Sequence, residues 1–136
     1  MKSRFFKLSA LLFLTMILTQ CTEKTSAEYV QEGLESMRSE QIDKAGEAFL
    51  KAVEKDPNSV EGHYGLGGVY NFQKKLTEAE QEFKTVLKID PIHINAIYSL
   101  GYTYELMGNK EKAEESYIKY RRLKGKMDSL MDPEKN

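Results

Sequence analysis

The stretch VEGHYGLGGVYNFQKKLTEAEQEFKTVLKIDPIHI, Val60 to Ile94, decides the fold, because its landmarks recur on both sides at one constant offset. Ala79 has counterparts 34 residues away in each direction, at Ala45 and Ala113. Phe83 recurs as Phe49 and Tyr117, and Gly67 as Gly33 and Gly101. Tyr64, Leu66 and Tyr70 return as Tyr98, Leu100 and Tyr104, and Asp90-Pro91 repeats Asp56-Pro57. A period of this length, with small, aromatic and proline positions at fixed offsets, marks helix–turn–helix units stacked into a solenoid. Such a fold presents a surface, so a binding module is expected and not a catalyst.

Elementary physics points the same way. Phe83, Val86 and Leu87 hold the i, i+3, i+4 spacing of a buried helical stripe. Small residues such as Gly67 and Ala79 let two helix backbones approach. Gly65-Leu66-Gly67-Gly68 lies inside a helical pattern and follows no strand, so close helix packing is its expected purpose and not phosphate binding. One helix pair cannot bury its apolar face, whereas three stacked pairs share a continuous core. Thr25-Ser26-Ala27-Glu28 and Thr77-Glu78-Ala79-Glu80 both have the form of a capping box, predicting a helix start at each. Pro57 and Pro91 stop the helices before them, and Gly108-Asn109 marks a turn. No window alternates like a half-buried strand, so the folded part is expected to be all-α.

The three units resemble the tetratricopeptide repeat family. His63, Leu66, Gly67, Tyr70, Ala79, Phe83, Val86 and Pro91 carry the pattern most fully. Ile97, Leu100, Gly101, Tyr104, Ala113, Tyr117 and Tyr120 repeat it, with Gly125 in place of the proline. Tyr29, Gly33, Ala45, Phe49, Ala52 and Pro57 form the first copy, from which Glu32 and Ser36 depart. The likeness covers residues 26–127, divided as 26–59, 60–93 and 94–127, and implies a right-handed superhelix of three helix–turn–helix repeats. In the family the first helix of each pair lines a concave face. That implies a partner-binding groove displaying Val30, Leu34, Met37, Tyr64, Gly68, Asn71, Phe72, Tyr98, Tyr102 and Glu105. Relatives that clamp a C-terminal carboxylate use Lys, Arg and Asn on these helices; the matching residues here are Val30, Leu34, Gly65, Asn95 and Ser99, which supply no cation. An apolar helix or an extended peptide with apolar anchors is the expected occupant.

Each candidate has a plainer reading. Tyr70 and Tyr104 match structural positions of the family and are read as core. Tyr64, Tyr98 and Tyr102 are divided between packing on a neighbouring repeat and waiting for a ligand, with a ring to bury and a hydroxyl to keep wet. His63 is expected to pack and His93 to be solvated in the turn beside Pro91. Neither has a cysteine partner for a metal site. Glu78, Glu80, Glu82, Glu111, Glu114 and Glu115 are read as solvated helix faces. The sequence has no G-x-x-x-x-G-K, H-E-x-x-H or G-x-S-x-G motif. No catalytic residue, metal or dissociable cofactor is expected.

The N-terminus is a segment of another kind. Lys2, Arg4 and Lys7 precede an apolar run from Leu8 to Leu18, too short for a permanent span. A basic start, a short apolar core and a cleavage-like end make a secretory signal over residues 1–20. Leu18-Thr19-Gln20-Cys21 resembles the lipobox of bacterial lipoproteins, although Gln20 stands where Gly, Ala or Ser is usual. The resemblance implies a covalent lipid on Cys21, the only cysteine, and residues 21–25 as a short tether. A lone thiol beside an ordinary cleavage site, or an uncleaved anchor, is the alternative. Thr22 is not the Asp that favours inner-membrane retention in some bacteria, so attachment to the outer membrane of the envelope is expected. Loss of Lys2, Arg4 and Lys7 would leave 17 basic against 21 acidic residues, a formal charge of −4. That mild acidity disfavours nucleic acid as a partner.

At the other end an apolar stripe runs through Tyr117, Tyr120, Leu123, Met127, Leu130 and Met131. The last helix is expected either to break at Gly125 or to continue until Pro133, with residues 128–136 as extension and tail. Met127, Leu130 and Met131 then fold back as a cap or remain exposed, where they can pair two copies into a homo-oligomer. Arg121, Arg122, Lys124 and Lys126 complement the helix dipole or meet anionic lipid headgroups. The resulting expectation is a membrane-tethered scaffold that binds a protein partner, in the manner of small repeat lipoproteins of envelope assembly or secretion. A self-associating structural lipoprotein, or a surface-exposed one that contacts extracellular molecules, are the alternatives.

Overall fold

The computed structural model describes residues 23–131, which form six helices and, among the described residues, no strand. They are α1 (Ser26–Arg38), α2 (Ile42–Lys55), α3 (Val60–Phe72), α4 (Leu76–Ile89), α5 (Ile94–Leu106) and α6 (Lys110–Met131). Each packs on the next, and the first helices of consecutive pairs, α1 with α3 and α3 with α5, also touch. The first and third pairs do not meet, so the molecule is an all-α solenoid. The expected signal segment, Cys21 and Pro133 lie outside the described residues.

The period also governs the helix ends. Thr25 caps α1 with a complete capping box, Ser59 accepts from the Gly62 N–H at 3.2 Å, and His93 Nδ1 accepts from the Ala96 N–H at 3.0 Å. Capping residues therefore recur every 34 residues. His93 is thus half-buried and structural, not solvated: its ring also lies 5.3 Å from that of Tyr64. Within each pair the chain reverses at a left-handed residue, Glu40 (φ 58°), Lys74 (φ 62°) or Gly108 (φ 76°). After the first helix of each pair, the next N–H reaches back to the last turn: Gln41 to Ser36, Lys75 to Tyr70 and Asn109 to Tyr104, at 2.8–2.9 Å. This closure fixes where the second helix begins. It overrules the predicted start at Thr77, since α4 opens at Leu76 with Lys75 as its cap residue.

Two apolar clusters fill the solenoid. One joins Ala45, Phe49, Leu66 and Val69; the other joins Ala79, Phe83, Val86, Ala96, Leu100, Tyr104 and Ala113. The aromatic landmarks sit against the glycines of the period. A Cβ on Gly67 would lie 2.6 Å from the Phe83 ring, and one on Gly101 2.8 Å from that of Tyr117. Tyr104 is buried and Tyr70 half-buried against both clusters.

Two carboxylates expected in solvent instead tie helices together. Glu82 meets His63 Nδ1 at 2.6 Å, while His63 Nε2 faces the Pro57 carbonyl at 2.9 Å. Glu80 accepts from the Tyr104 hydroxyl at 2.9 Å, joining the second pair to the third, and its hydrogen bond to Lys84 holds its carboxyl below the usual range. The last helix runs unbroken through Gly125 for 22 residues, where α2 and α4 have 14. Lys124-Gly125 replaces Asp-Pro, so nothing turns the chain back. Met127, Leu130 and Met131 remain exposed.

Candidate functional site

The first helices build a groove of about 620 Å³ along one face of the solenoid. Leu34 and Met37 of α1, Tyr64, Asn71 and Phe72 of α3, and Tyr102 of α5 line it. Phe49 and Phe83, themselves core residues, reach its floor. Gly65 and Gly68 lower the wall between the aromatic residues, and Ser99 and Lys74 also border the space. Phe72 is 66% exposed, Tyr102 44% and Leu34 41%. These are large apolar side chains that no described neighbour covers.

Seven of the ten candidate groove residues therefore converge and three do not. Val30 faces a different cavity, beside Thr25, Asp56 and Ser59, and packs against the first cluster. Tyr98 and Glu105 lie at the C-terminal end of the stack. The Tyr98 ring is 5.4 Å from Tyr117 and 5.2 Å from Tyr120, and Glu105 accepts from the Tyr117 hydroxyl at 2.8 Å. The cause is the stacking itself. Their counterparts one period earlier, Tyr64 and Asn71, are covered by α5, whereas no described helix follows to cover Tyr98 and Glu105.

Asn71 contributes from inside the wall and not from its surface, being 9% exposed. Its Nδ2 donates to Thr103 Oγ1 at 2.9 Å, and Thr103 donates to the Ser99 carbonyl at 2.8 Å. This chain bridges α3 and α5. Tyr64 is half-buried, with its hydroxyl 3.3 Å from that of Ser99. Lys74 joins the site although its sequence context gives it no role there. It reaches the groove because it is the left-handed residue of its turn, and it makes no ion pair among the described residues. Its position one period after Glu40 is the signal that could have found it.

The groove's chemistry is apolar recognition with hydroxyls and one cation at the edge. No group of three or more His, Cys, Asp or Glu among the described residues could hold a metal ion. No described helix is long and apolar enough to cross a membrane.

The end face carries the largest titration effect. Burial, followed by the hydrogen bond to Glu105, pushes the Tyr117 hydroxyl up to about 12 from an ordinary 10.0. The folded state thus keeps this proton in a range where the unfolded chain releases it, so stability present below pH 10 is lost as pH rises toward 12. Burial raises Tyr70 and Tyr104 in the same direction. Denaturant titrations across that range should show Tyr117→Phe losing stability less steeply than the parent; equal slopes would contradict the assignment.

Comparison with known proteins agrees with this geometry. Two tetratricopeptide repeat family models match, one over residues 48–81 and the other over 94–124. No curated protein matches the chain. A crystal structure of MamA superposes with a TM-score of 0.73 at 22% identity, covering 77% of this chain and 61% of that one. The crystal structure of YrrB, a TPR protein with an unusual peptide-binding site, gives 0.72 at 26% identity, covering 85% and 59%. The second TPR of Spaghetti (RPAP3), bound to HSP90 peptide SRMEEVD, gives 0.71 at 15% identity, covering 74% and 93%. The chain thus spans about six-tenths of the MamA and YrrB structures, and the likeness to MamA and Spaghetti is one of fold.

Proposed function

We propose that this chain, a tetratricopeptide repeat protein, is a non-catalytic interaction scaffold tethered to a bacterial envelope, whose groove binds a partner peptide or helix through apolar anchors. The observation that carries this reading is the uncovered set of Phe72, Tyr102 and Leu34 around an apolar floor. The peptide-bound state of Spaghetti and the peptide-binding site of YrrB support a peptide as the class of ligand. The side chains decide its character. Val30, Leu34, Gly65, Asn95 and Ser99 offer no clamp for a terminal carboxylate, so binding energy comes from burying rings and aliphatic groups. Lys74 adds one attraction for an acceptor at the rim.

The envelope location is supported by the basic start, the short apolar run and Cys21, and lipid on Cys21 is the proposed tether. Radiolabelled palmitate should enter the protein and be lost in Cys21→Ser; equal labelling of both would refute the tether. For the groove, selection from a displayed library of apolar peptides yields ligands before the natural partner is identified. Phe72→Ala with Tyr102→Ala should weaken a selected peptide by about 30-fold or more, the scale of losing a buried aromatic anchor. Tyr98→Ala, on the end face, should leave it unchanged. Equal losses in both variants would place the site elsewhere.

A further inference from the structure

We infer that the edge of the solenoid carrying the inter-repeat turns rests on an anionic membrane, with the final turns of α6 lying among the lipid headgroups. The inference builds on the proposed tether at Cys21, but it is carried by where the topology puts the pieces. In an up-down stack every first helix starts, and every second helix ends, at one edge. Ser26 Oγ bonds the Ala52 carbonyl at 2.9 Å, and Thr25, Asp56, Ser59, Asp90 and His93 border a single cavity there. The first described residues, 23–25, therefore lie at this edge.

The same edge carries the end of α6. Tyr98 and Tyr120 are in ring contact, and α5 and α6 run antiparallel, so Lys124 stands level with Ile94. The helix continues to Met131, which at 1.5 Å per residue carries it roughly 10 Å beyond α5. Ile92, in the adjoining turn, is 65% exposed, and Leu130 and Met131 are each 74% exposed.

The projecting segment has the pattern of a helix that lies in a membrane surface. At 100° per residue, Leu123, Met127, Leu130 and Met131 fall in one arc about 100° wide. Lys124 and Lys126 flank it on opposite sides, as cations do where an apolar face sinks between acidic headgroups. Four of the acidic groups at this edge are already engaged. Asp128 pairs with Lys124 at 3.4 Å and Glu23 with Lys55 at 2.8 Å, while Asp56 and Asp90 accept from the N–H groups of Asn58 and Ile92. A tether of residues 21–25 spans no more than about 18 Å when extended, so a chain held at Cys21 keeps this edge within reach of the lipid.

The chain contains no tryptophan, so Leu130→Trp creates a single fluorescent reporter at a surface position. The full chain carrying it is mixed with vesicles of phosphatidylethanolamine and phosphatidylglycerol whose acyl chains are brominated. Emission should shift to the blue and be quenched, while a Phe72→Trp reporter in the groove should be unaffected. Lys124→Glu with Lys126→Glu should lower partition of a Cys21→Ser chain onto these vesicles at least ~10-fold. Flotation separates the two ideas. A full chain that floats with an unquenched Leu130→Trp reporter keeps its tether and overturns the inference. Quenching in the Cys21→Ser background supports the edge even where the tether fails. A blue shift that follows protein concentration without lipid assigns the stripe to a second copy and also overturns the inference.

Discussion

Replacing Phe49 with alanine should cost about 3–5 kcal/mol, the range for truncating a buried aromatic residue. The ring is 1% exposed and stands where three helices meet. A Cβ on Gly33 of α1 would lie 2.6 Å from it, and one on Gly65 of α3 2.5 Å. Phe49 itself belongs to α2, so it joins the first repeat internally and to the second. The backbones around the ring are held apart by their own hydrogen-bonded helices and cannot close on the space left behind. Small domains have only about 5–15 kcal/mol in total, so the variant should be near the limit of folding. Urea denaturation would read the loss. Leu50→Ala, one residue along and 42% exposed, should change the midpoint far less; similar losses at the two positions would show that the ring is not the joint described.

Two glycines three residues apart should respond with opposite signs. Gly65→Val would drive a branched side chain into the Phe49 ring, which is already packed against Gly33 on its other side. Overpacking of this kind costs about 1–3 kcal/mol. A Cβ on Gly68 meets nothing within 4 Å, and the residue sits in the middle of α3. Gly68→Ala should therefore gain roughly 0.5–1 kcal/mol from the backbone entropy that glycine loses in a helix. Its methyl group also enters the groove, so peptide affinity should fall as stability rises. Thermal melts of the two variants check the signs, and a destabilised Gly68→Ala would refute the open space assigned to it.

The fold is legible in the sequence because its signal is periodic. Tyr64 and Phe83 alone say little, whereas Phe49, Phe83 and Tyr117 at equal offsets impose the same packing three times. Local motifs fare worse when they compete with the period. Thr77-x-x-Glu80 has the chemistry of a cap, but the backbone closure at Lys74 and Lys75 has already begun the helix. The role of His93 is hidden because histidine is an unusual cap, although Thr25 and Ser59 occupy the equivalent places. Glu80 and Glu82 resemble solvent charges since their partners, Tyr104 and His63, come from other helices. The groove is only partly legible for a different reason. Equivalent positions have equivalent neighbours in the middle of a solenoid and not at its ends, which is why Tyr98 and Glu105 part company from Tyr64 and Asn71. The same end effect gives a physical account of Glu32 and Ser36: no described repeat packs against their side of α1.

Because the first and third repeats never touch, the molecule has no keystone. Its free energy is that of three units and two joints, nearly additive, and neither joint senses how many others exist. A lineage could therefore lengthen this protein by copying Val60 through His93 in place, adding one rung of tyrosine and asparagine to the recognition surface without renegotiating any older contact. Specificity in such an architecture grows by whole steps, and the length of the ligand it reads is set by gene duplication before it is refined by substitution.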